Sequence, residues 1–183
     1  MPKQKYKIYT RTGDKGMTSL SNGNRESKSS VRITAIGEID ELNCILGVLI
    51  AKSVQADINS QLELIQHALF NIGSDLAISK NRFVTEDYVF KIESMIDSLE
   101  ESLPPINKFI LPGGNELAAI SHMARAICRR AERCLIDLHN HELVENELIM
   151  FVNRLSDLLF VIARTMNHRA LFPETYWEKK NWQ

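Results

Sequence analysis

Residues 31–52 have the sequence VRITAIGEIDELNCILGVLIAK. Apolar side chains recur in this stretch every three or four residues: Ile33, Ile36, Ile39, Leu42, Ile45, Leu46, Leu49 and Ile50. One face of an α-helix requires that spacing, because the helix turns once in about 3.6 residues. The stretch therefore predicts a long helix with one buried face, and most of the remaining chain follows the same pattern.

Four more stretches predict helices, and three of them are bounded by a capping residue or a proline. They cover residues 58–78, 85–103, 115–138 and 144–171. Thr85 and Asn115 have side chains that cap helix N-termini. Pro104 and Pro173 stop helices, and the connector FILPGGN lies at residues 109–115. Since no segment shows the sustained alternation of a strand, the sequence predicts an all-α, up-and-down bundle of four or five helices.

Length and charge restrict the class of protein. The chain has 183 residues, a mass of 20.9 kDa and a net charge of -1. We expect one domain over residues 1–183, divided into a ligand-binding leader (1–30), a helical bundle (31–171) and a tail (172–183). The balanced charge provides no field for nucleic acid or an anionic membrane, so any anion site is local. With no apolar stretch long enough for a membrane span and no secretory signal, we expect a cytoplasmic protein.

The cysteines and histidines give no pattern typical of a metal site. Cys44, Cys128 and Cys134 form no C-x-x-C pair, and each lies in a stretch predicted as apolar helix. We expect three free, buried thiols. His139 and His141 are two residues apart and would point to different sides of a helix, so no protein-only metal site is predicted.

The densest group of charged residues lies in the fourth predicted helix, where residues 122–133 are HMARAICRRAER. Arg125, Arg129 and Arg133 are spaced four residues apart, and Glu132 falls on the same face. The apolar residues of this helix collect on the opposite side. One interpretation is a solvated outer face. The alternative is an anionic ligand or a partner subunit's carboxylate, because stacked arginines without alternating acids repel one another.

Polar groups elsewhere are open to a structural or a functional interpretation. The leader segment TRTGDKGMTS, residues 10–19, is either a polar turn or a phosphate-binding loop, although it is no Walker A motif. Asn153 and Asp157 share a flank of the fifth helix with Arg164, beside either a ligand or the fourth helix. Asp40 lies among apolar neighbours, where an acid caps, pairs or meets solvent. Phe109, on the connector, is either a core residue or part of a flat hydrophobic site.

Taken together, these segments resemble the PduO-type ATP:cob(I)alamin adenosyltransferases in order and separation. The resemblance runs from about residue 7 to residue 168. Its motifs are YTRTGDKGMTSL with Lys28 downstream, GEIDELN, FILPGG followed by RAICRRAER, and NRLSDLLF. The segment SNGNRESK at residues 21–28 departs from the commoner form, which has an aromatic residue and two glycines before the arginine. Despite this departure, Lys28 keeps the position that the family motif gives to its lysine.

The resemblance implies a homotrimer that binds ATP and the corrinoid between adjacent subunits. Applied to this chain, it implies nucleotide contacts from Thr10, Arg11, Thr12, Gly13, Asp14, Thr18, Ser19 and Lys28 in the leader, and from Arg129, Arg130, Glu132, Arg133 and Asn153 in the helices. Asp40 and Arg125 match an inter-subunit ion pair beside the active site. Phe109 matches an aromatic residue near the lower face of the corrin, and Arg129 is expected to act directly on the reacting triphosphate.

The reaction that the resemblance implies is transfer of the 5′-deoxyadenosyl group of ATP to cob(I)alamin, with Mg²⁺ carried by the triphosphate. The cobalt is itself the nucleophile, so no side-chain nucleophile is needed. A flavoprotein or another reductase is the expected electron donor. Two rival functions remain: a non-catalytic bundle that senses ATP or carries cobalamin, and a helical scaffold whose arginines only pair with a neighbouring subunit.

Overall fold

The computed structural model describes residues 7–78 and 82–180, and five helices make up most of them. The helices are α1 (Val31–Lys52), α2 (Ala56–Ala77), α3 (Glu86–Glu100), α4 (Glu116–His141) and α5 (Asn146–Arg169). The predicted all-α bundle is confirmed, with five helices rather than four. The predicted bounds of α1 agree with the structure, whereas α3 ends three residues earlier than predicted and α4 continues three residues further.

The leader contains a small hairpin that the sequence analysis did not predict. Strand β1 (Met17–Ser19) pairs antiparallel with β2 (Arg25–Ser27), with Thr18 opposite Glu26. Gly23, at φ +85°, lies in the turn between them, where a side chain would be strained. Three-residue strands are too short to show a period-two pattern, so no sequence pattern indicated this hairpin.

The helices pack around α5, which has almost no exposed face over its second half. Helix α1 lies against α2 and α4, while α5 lies against α4 and α3. From Leu158 to Asn167 every residue of α5 is buried except Phe160, which is half-buried. Three of these buried residues are polar: Arg164, Thr165 and Asn167. Since water does not reach them, they must find their hydrogen-bond partners within the protein.

Asn167 uses its side chain to hold the glycine elbow between α3 and α4. Its Oδ1 accepts from the backbone N–H of Asn115 at 3.0 Å, and its Nδ2 donates to the carbonyl of Gly113 at 3.3 Å. Asn115 in turn donates to the carbonyl of Met166 at 2.8 Å and caps α4 by accepting from the N–H of Ala118. The predicted N-cap at Asn115 is confirmed, and the elbow is fixed on α5.

The three cysteines are free, but only Cys128 is buried. Burial raises the pKa of the Cys128 thiol, which keeps it protonated. Cys44 is exposed and Cys134 is half-buried, so the prediction of three buried thiols was wrong for Cys44 and Cys134. Cys44 lies on the outer face of α1, beside the buried Asn43. Of the helices in the described residues, none has the length and apolar content needed to cross a membrane.

The elbow generates a prediction about stability. Gly114 has φ +111°, and a Cβ at this position would overlap the side-chain oxygen and nitrogen of Asn167. We expect Gly114→Ala to lower the free energy of unfolding by about 2 to 4 kcal/mol, through backbone strain and displacement of Asn167. Urea denaturation followed by circular dichroism measures this change.

Gly113→Ala is the matched control, because a Cβ on Gly113 would meet no atom within 4 Å. We expect this variant to unfold within about 1 kcal/mol of the wild type. Equal stability of the two alanine variants would show that the contact between Gly114 and Asn167 does not constrain the elbow.

Candidate active site

The leader folds back so that Lys28 lies over the turn at Gly13. A Cβ added to Gly13 would lie 3.1 Å from the Lys28 ammonium nitrogen and 3.3 Å from the carbonyl oxygen of Met17. Backbone hydrogen bonds from Gly16 N–H to the Gly13 carbonyl, 3.2 Å, and from Lys28 N–H to the Gly16 carbonyl, 2.9 Å, hold this arrangement. A cationic group therefore stands beside a glycine turn, as an anion-binding loop requires.

Arg25 fixes the leader from within, and the sequence analysis missed this residue. Its guanidinium donates to the carbonyl of Thr12 at 2.7 Å and to Ser19 Oγ at 3.0 Å. The hydroxyls of Thr10 and Thr12 lie 2.9 Å apart next to the same turn. No sequence pattern connects Arg25 with Thr12, since the two residues meet only because the hairpin folds back.

The hairpin is joined directly to the start of α1. Ser30 is the N-cap of α1: its Oγ accepts from the N–H of Ile33 at 3.3 Å and donates to Glu26 Oε2 at 2.7 Å. The Ser30 cap therefore links strand β2 to the helix that carries Asp40. Arg11, earlier in the leader, is exposed at φ 59°, and its guanidinium lies 5.4 Å from the centre of the Tyr9 ring.

A cavity of about 560 Å³ opens between the leader, α1 and α2. Thr18 and Ser19 line it from the hairpin, while Gly37 and Asp40 line it from α1. The exposed ring of Phe70 lies on its α2 side. The structure therefore brings Asp40 together with the predicted hydroxyl ligands Thr18 and Ser19. We refer to this space as the leader cavity.

The arginines of α4 face away from the core, as predicted. Arg129 and Arg133 are exposed, and Arg133 donates to the carbonyl of Arg129 at 3.0 Å. On the opposite side Ala124, Cys128 and Leu135 are fully buried. Among the described residues, Arg129 and Arg133 form no ion pair with an acid. Two positive charges one turn apart are therefore free to receive an anion.

Arg130 points elsewhere than the resemblance implied. Its guanidinium donates to Glu38 at 2.6 Å and also to Glu41, both on α1, and these hydrogen bonds raise the pKa of Arg130. The charge of Arg130 is thereby matched within its own chain. A contact between Arg130 and the nucleotide remains a prediction, because the structure shows this side chain joining α4 to α1.

Glu132 of α4 and Asn153 of α5 are brought together in the structure. The Asn153 amide nitrogen donates to Glu132 at 2.9 Å, and its oxygen accepts from Arg154 at 2.9 Å. Arg154 continues the chain of hydrogen bonds to Glu93 of α3, at 2.8 Å. Asp157 is exposed. The amide of Asn153 is therefore oriented by Glu132 of α4 and Arg154 of α5, and Arg154 is in turn held by Glu93 of α3.

Phe109 stands over a second cavity, of about 610 Å³. Its ring is 80% exposed, so it is not a core residue of the single chain. His122, Arg125 and Phe160 line the same space, which we call the connector cavity. His122 is 4% exposed and its Nδ1 has no partner among the described residues; burial, and then the charge of Arg125, lower its pKa. A neutral imidazole and an aromatic ring therefore flank an open, largely apolar space.

Asp40 and Arg125 do not meet within one chain. Asp40 is exposed in the leader cavity, whereas Arg125 lines the connector cavity, and neither forms an ion pair within residues 7–78 and 82–180. The Nε of Arg125 is buried and lacks a hydrogen-bond partner in that part of the chain. A buried, unpaired donor on a cation is costly, so the Nε of Arg125 is available to a hydrogen-bond acceptor that the described residues do not supply.

Residues 8–166 match the family model described as Cobalamin adenosyltransferase. A Cobalamin adenosyltransferase of Cupriavidus metallidurans is 40% identical over 95% of this chain and 95% of its own length. The Corrinoid adenosyltransferase of Bacillus subtilis is 42% identical over 94% of this chain and 93% of its own length.

The fold agrees with solved structures of the same group. A variant PduO-type ATP:corrinoid adenosyltransferase from Lactobacillus reuteri, complexed with cobalamin and ATP, superposes with a TM-score of 0.89. It is 36% identical, with 94% of this chain and 97% of that chain covered. The match of sequence over most of the length and the match of fold point to the same family. This chain therefore belongs to the cobalamin adenosyltransferase family.

Proposed function

We propose that this protein transfers the 5′-deoxyadenosyl group of ATP to cob(I)alamin and releases inorganic triphosphate. One observation carries the proposal: α4 presents Arg125 to the connector cavity beneath Phe109, and Arg129 follows one turn further along the same face. An aromatic ring for a flat ligand and unpaired cations for an anion are thus adjacent. The named activity of the relatives fits this combination.

The chemistry requires no nucleophile from the protein. The cobalt of cob(I)alamin attacks C5′ of ATP, a Co–C bond forms, and the C5′–O bond breaks with its electron pair going to triphosphate. Cobalt is formally oxidised from Co(I) to Co(III), because both electrons of the new Co–C bond come from the cobalt of cob(I)alamin. The protein must align C5′ with the cobalt and the leaving oxygen, and stabilise the charge that grows on the triphosphate.

The described residues are suited to that second task. Lys28 beside the Gly13 turn supplies an ammonium group, and Arg129 and Arg133 supply guanidinium groups. The hydroxyls of Thr10 and Thr12 complete a set of donors for phosphate oxygens. We propose that Mg²⁺ enters with ATP, bound through triphosphate oxygens and water. In the ranges 7–78 and 82–180 no three His, Cys, Asp or Glu side chains are grouped as metal ligands.

Phe109 is proposed to lie against the lower face of the corrin. Its ring is exposed, so it can occupy the space where an axial base would otherwise bind. Displacing that base makes the Co(II) form easier to reduce. A flavoprotein or another reductase is the proposed source of the electron that converts Co(II) to Co(I).

The complete site is proposed to form between subunits of a homotrimer. Thr18, Ser19 and Asp40 line the leader cavity, whereas Phe109 and Arg125 line the connector cavity. Pairing Asp40 of one subunit with Arg125 of the next would bring the two cavities together and match the buried Nε of Arg125. The chain is proposed to act as a single domain in the cytoplasm, without nucleic-acid or membrane partners.

An anaerobic assay tests the proposed reaction. Chemically reduced cobalamin, ATP and Mg²⁺ are mixed with the protein, and loss of the cob(I)alamin absorbance is followed. We expect a light-sensitive adenosylcobalamin product and one triphosphate for each adenosyl group transferred. ATP binding by a folded oligomer without product would instead favour the sensor or carrier. Absence of any ATP-dependent rise in melting temperature would favour the scaffold.

Arg129→Ala is expected to reduce kcat by about 100-fold, because it removes one donor from the growing triphosphate charge. Steady-state rates at saturating cob(I)alamin measure this loss, and circular dichroism checks that the helices remain. Arg129→Lys keeps the positive charge but loses the planar guanidinium, so its kcat should lie between those of the wild type and Arg129→Ala.

Arg82→Ala is a control for that experiment, because Arg82 is exposed, pairs with Glu145 and lies outside both the leader and α4. Its rate should stay within about twofold of the wild type. Activity of Arg129→Ala at the level of this control would remove Arg129 from the proposed mechanism.

Asp40→Asn and Arg125→Ala test the proposed subunit contact. Each leaves one charge of the pair unmatched, so we expect weaker trimers and lower activity together. Analytical ultracentrifugation across a dilution series measures the trimer, and the assay above measures turnover. Both variants remaining trimeric with wild-type kinetics would refute the ion pair.

A further inference from the structure

The C-terminal segment runs beside the connector that carries Phe109. The N–H of Leu111 donates to the carbonyl of Thr175 at 2.8 Å, and the N–H of Trp177 donates to the carbonyl of Phe109 at 2.7 Å. Ile110 and Tyr176 form an antiparallel bridge between these two bonds. The connector and the tail are therefore a short two-stranded ribbon, with Phe109 at one end of its pairing.

Arg164 of α5 holds the tail and the segment that leads into the connector. Its side chain is 4% exposed, donates from Nε to Glu174 at 3.0 Å and donates to the carbonyl of Pro104 at 2.8 Å. Glu174 directly precedes the paired residues of the tail, and Pro104 lies between α3 and the connector. One buried guanidinium thus joins α5, the tail and the segment before the connector.

The pairing between Arg164 and Glu174 is shielded from water. The Glu174 side chain is only 13% exposed, so both charges depend on each other rather than on solvent. The negative charge of Glu174 also acts on His122, which lines the connector cavity. The tail therefore lies close to the space over which the Phe109 ring stands.

We infer that the tail, through Glu174 and the backbone N–H of Trp177, positions Phe109 for the reaction. This inference rests on the proposed function, since it assigns the tail a role in that same site. Phe109 is 80% exposed and has little packing of its own, so its place is set by the backbone that carries it. Glu174 and Trp177 are positioning residues, because they act through the connector and not on the substrate.

Residues 174–177 of the tail contact the connector side of the site. Within the part of the chain that the structure describes, their hydrogen bonds are with Phe109, Leu111 and Arg164, and none is with the leader. We therefore expect loss of the ribbon to affect the corrinoid half of the reaction and to leave the nucleotide half unchanged. This asymmetry separates positioning from general destabilisation, which would affect both substrates.

Trp177→Pro removes the N–H that donates to the Phe109 carbonyl, and Trp177→Ala is its matched control with the N–H kept. Trp177 is an exposed tail residue, so neither change affects the buried core. In the protein without substrates, hydrogen exchange at the Leu111 amide should be at least about tenfold faster in Trp177→Pro than in Trp177→Ala. Equal exchange in the two variants would show that the ribbon is not held by this bond.

Turnover gives the second readout. Trp177→Pro and Glu174→Gln should lower kcat/KM for cob(I)alamin by roughly 10- to 100-fold, as expected for a misplaced reacting geometry, with KM for ATP within about twofold. Glu178→Gln, an exposed acid of the same tail outside the ion pair, should match the wild type. An equal loss for both substrates would mean that the tail only stabilises the fold, and would overturn the proposal.

The decisive test combines Trp177→Pro with Phe109→Ala. If the tail acts by positioning the Phe109 ring, it has nothing left to position in Phe109→Ala. Adding Trp177→Pro to Phe109→Ala should therefore lower kcat/KM for cob(I)alamin by less than about twofold. Fully multiplicative losses would overturn the proposal. The wild-type assay separates this result from the proposed function: an active wild type with an unaffected Trp177→Pro refutes the positioning role alone, and an inactive wild type refutes the reaction.

Discussion

The burial of α5 is the constraint on which the rest of the structure depends. A helix covered on nearly all sides satisfies its own backbone, but Arg164 and Asn167 have side-chain groups that no solvent reaches. Asn167 meets this need with the glycine elbow, and Arg164 meets it with the tail and the segment before the connector. The same hydrogen bonds that make α5 stable in the core therefore determine the position of the segment that carries Phe109.

Much of the fold could be predicted because helices repeat a local pattern. The spacing of apolar residues gave α1 its bounds, and Asn115 marked the start of α4. The hairpin was missed because its strands are three residues long, and its stabilising contact, from Arg25 to Thr12, joins residues with no shared periodicity. The tail was unassigned for a similar reason: its pairing with Leu111 is made through backbone atoms, which carry no sequence signal.

The candidate site was less predictable than the fold, since the position of a charged residue on a helix face does not show which group its side chain will contact. The spacing of Arg125, Arg129 and Arg133 correctly indicated an outward stripe. Arg130, next to Arg129 in sequence, pairs instead with two acids of α1. The family resemblance supplied the roles of the leader residues and of Phe109. Within a single chain, Thr18 and Ser19 line the leader cavity and Phe109 lines the connector cavity.

The pairing of the tail with the connector has a consequence for how the protein matures on the ribosome. Residues 174–177 are synthesised after all five helices, while the connector is synthesised before α4 and α5. Helices made of local contacts form early, whereas the ribbon waits for the last strand. The elbow needs Asn167 of α5 and the ribbon needs residues 174–177, so the connector side is completed only after translation has passed residue 177.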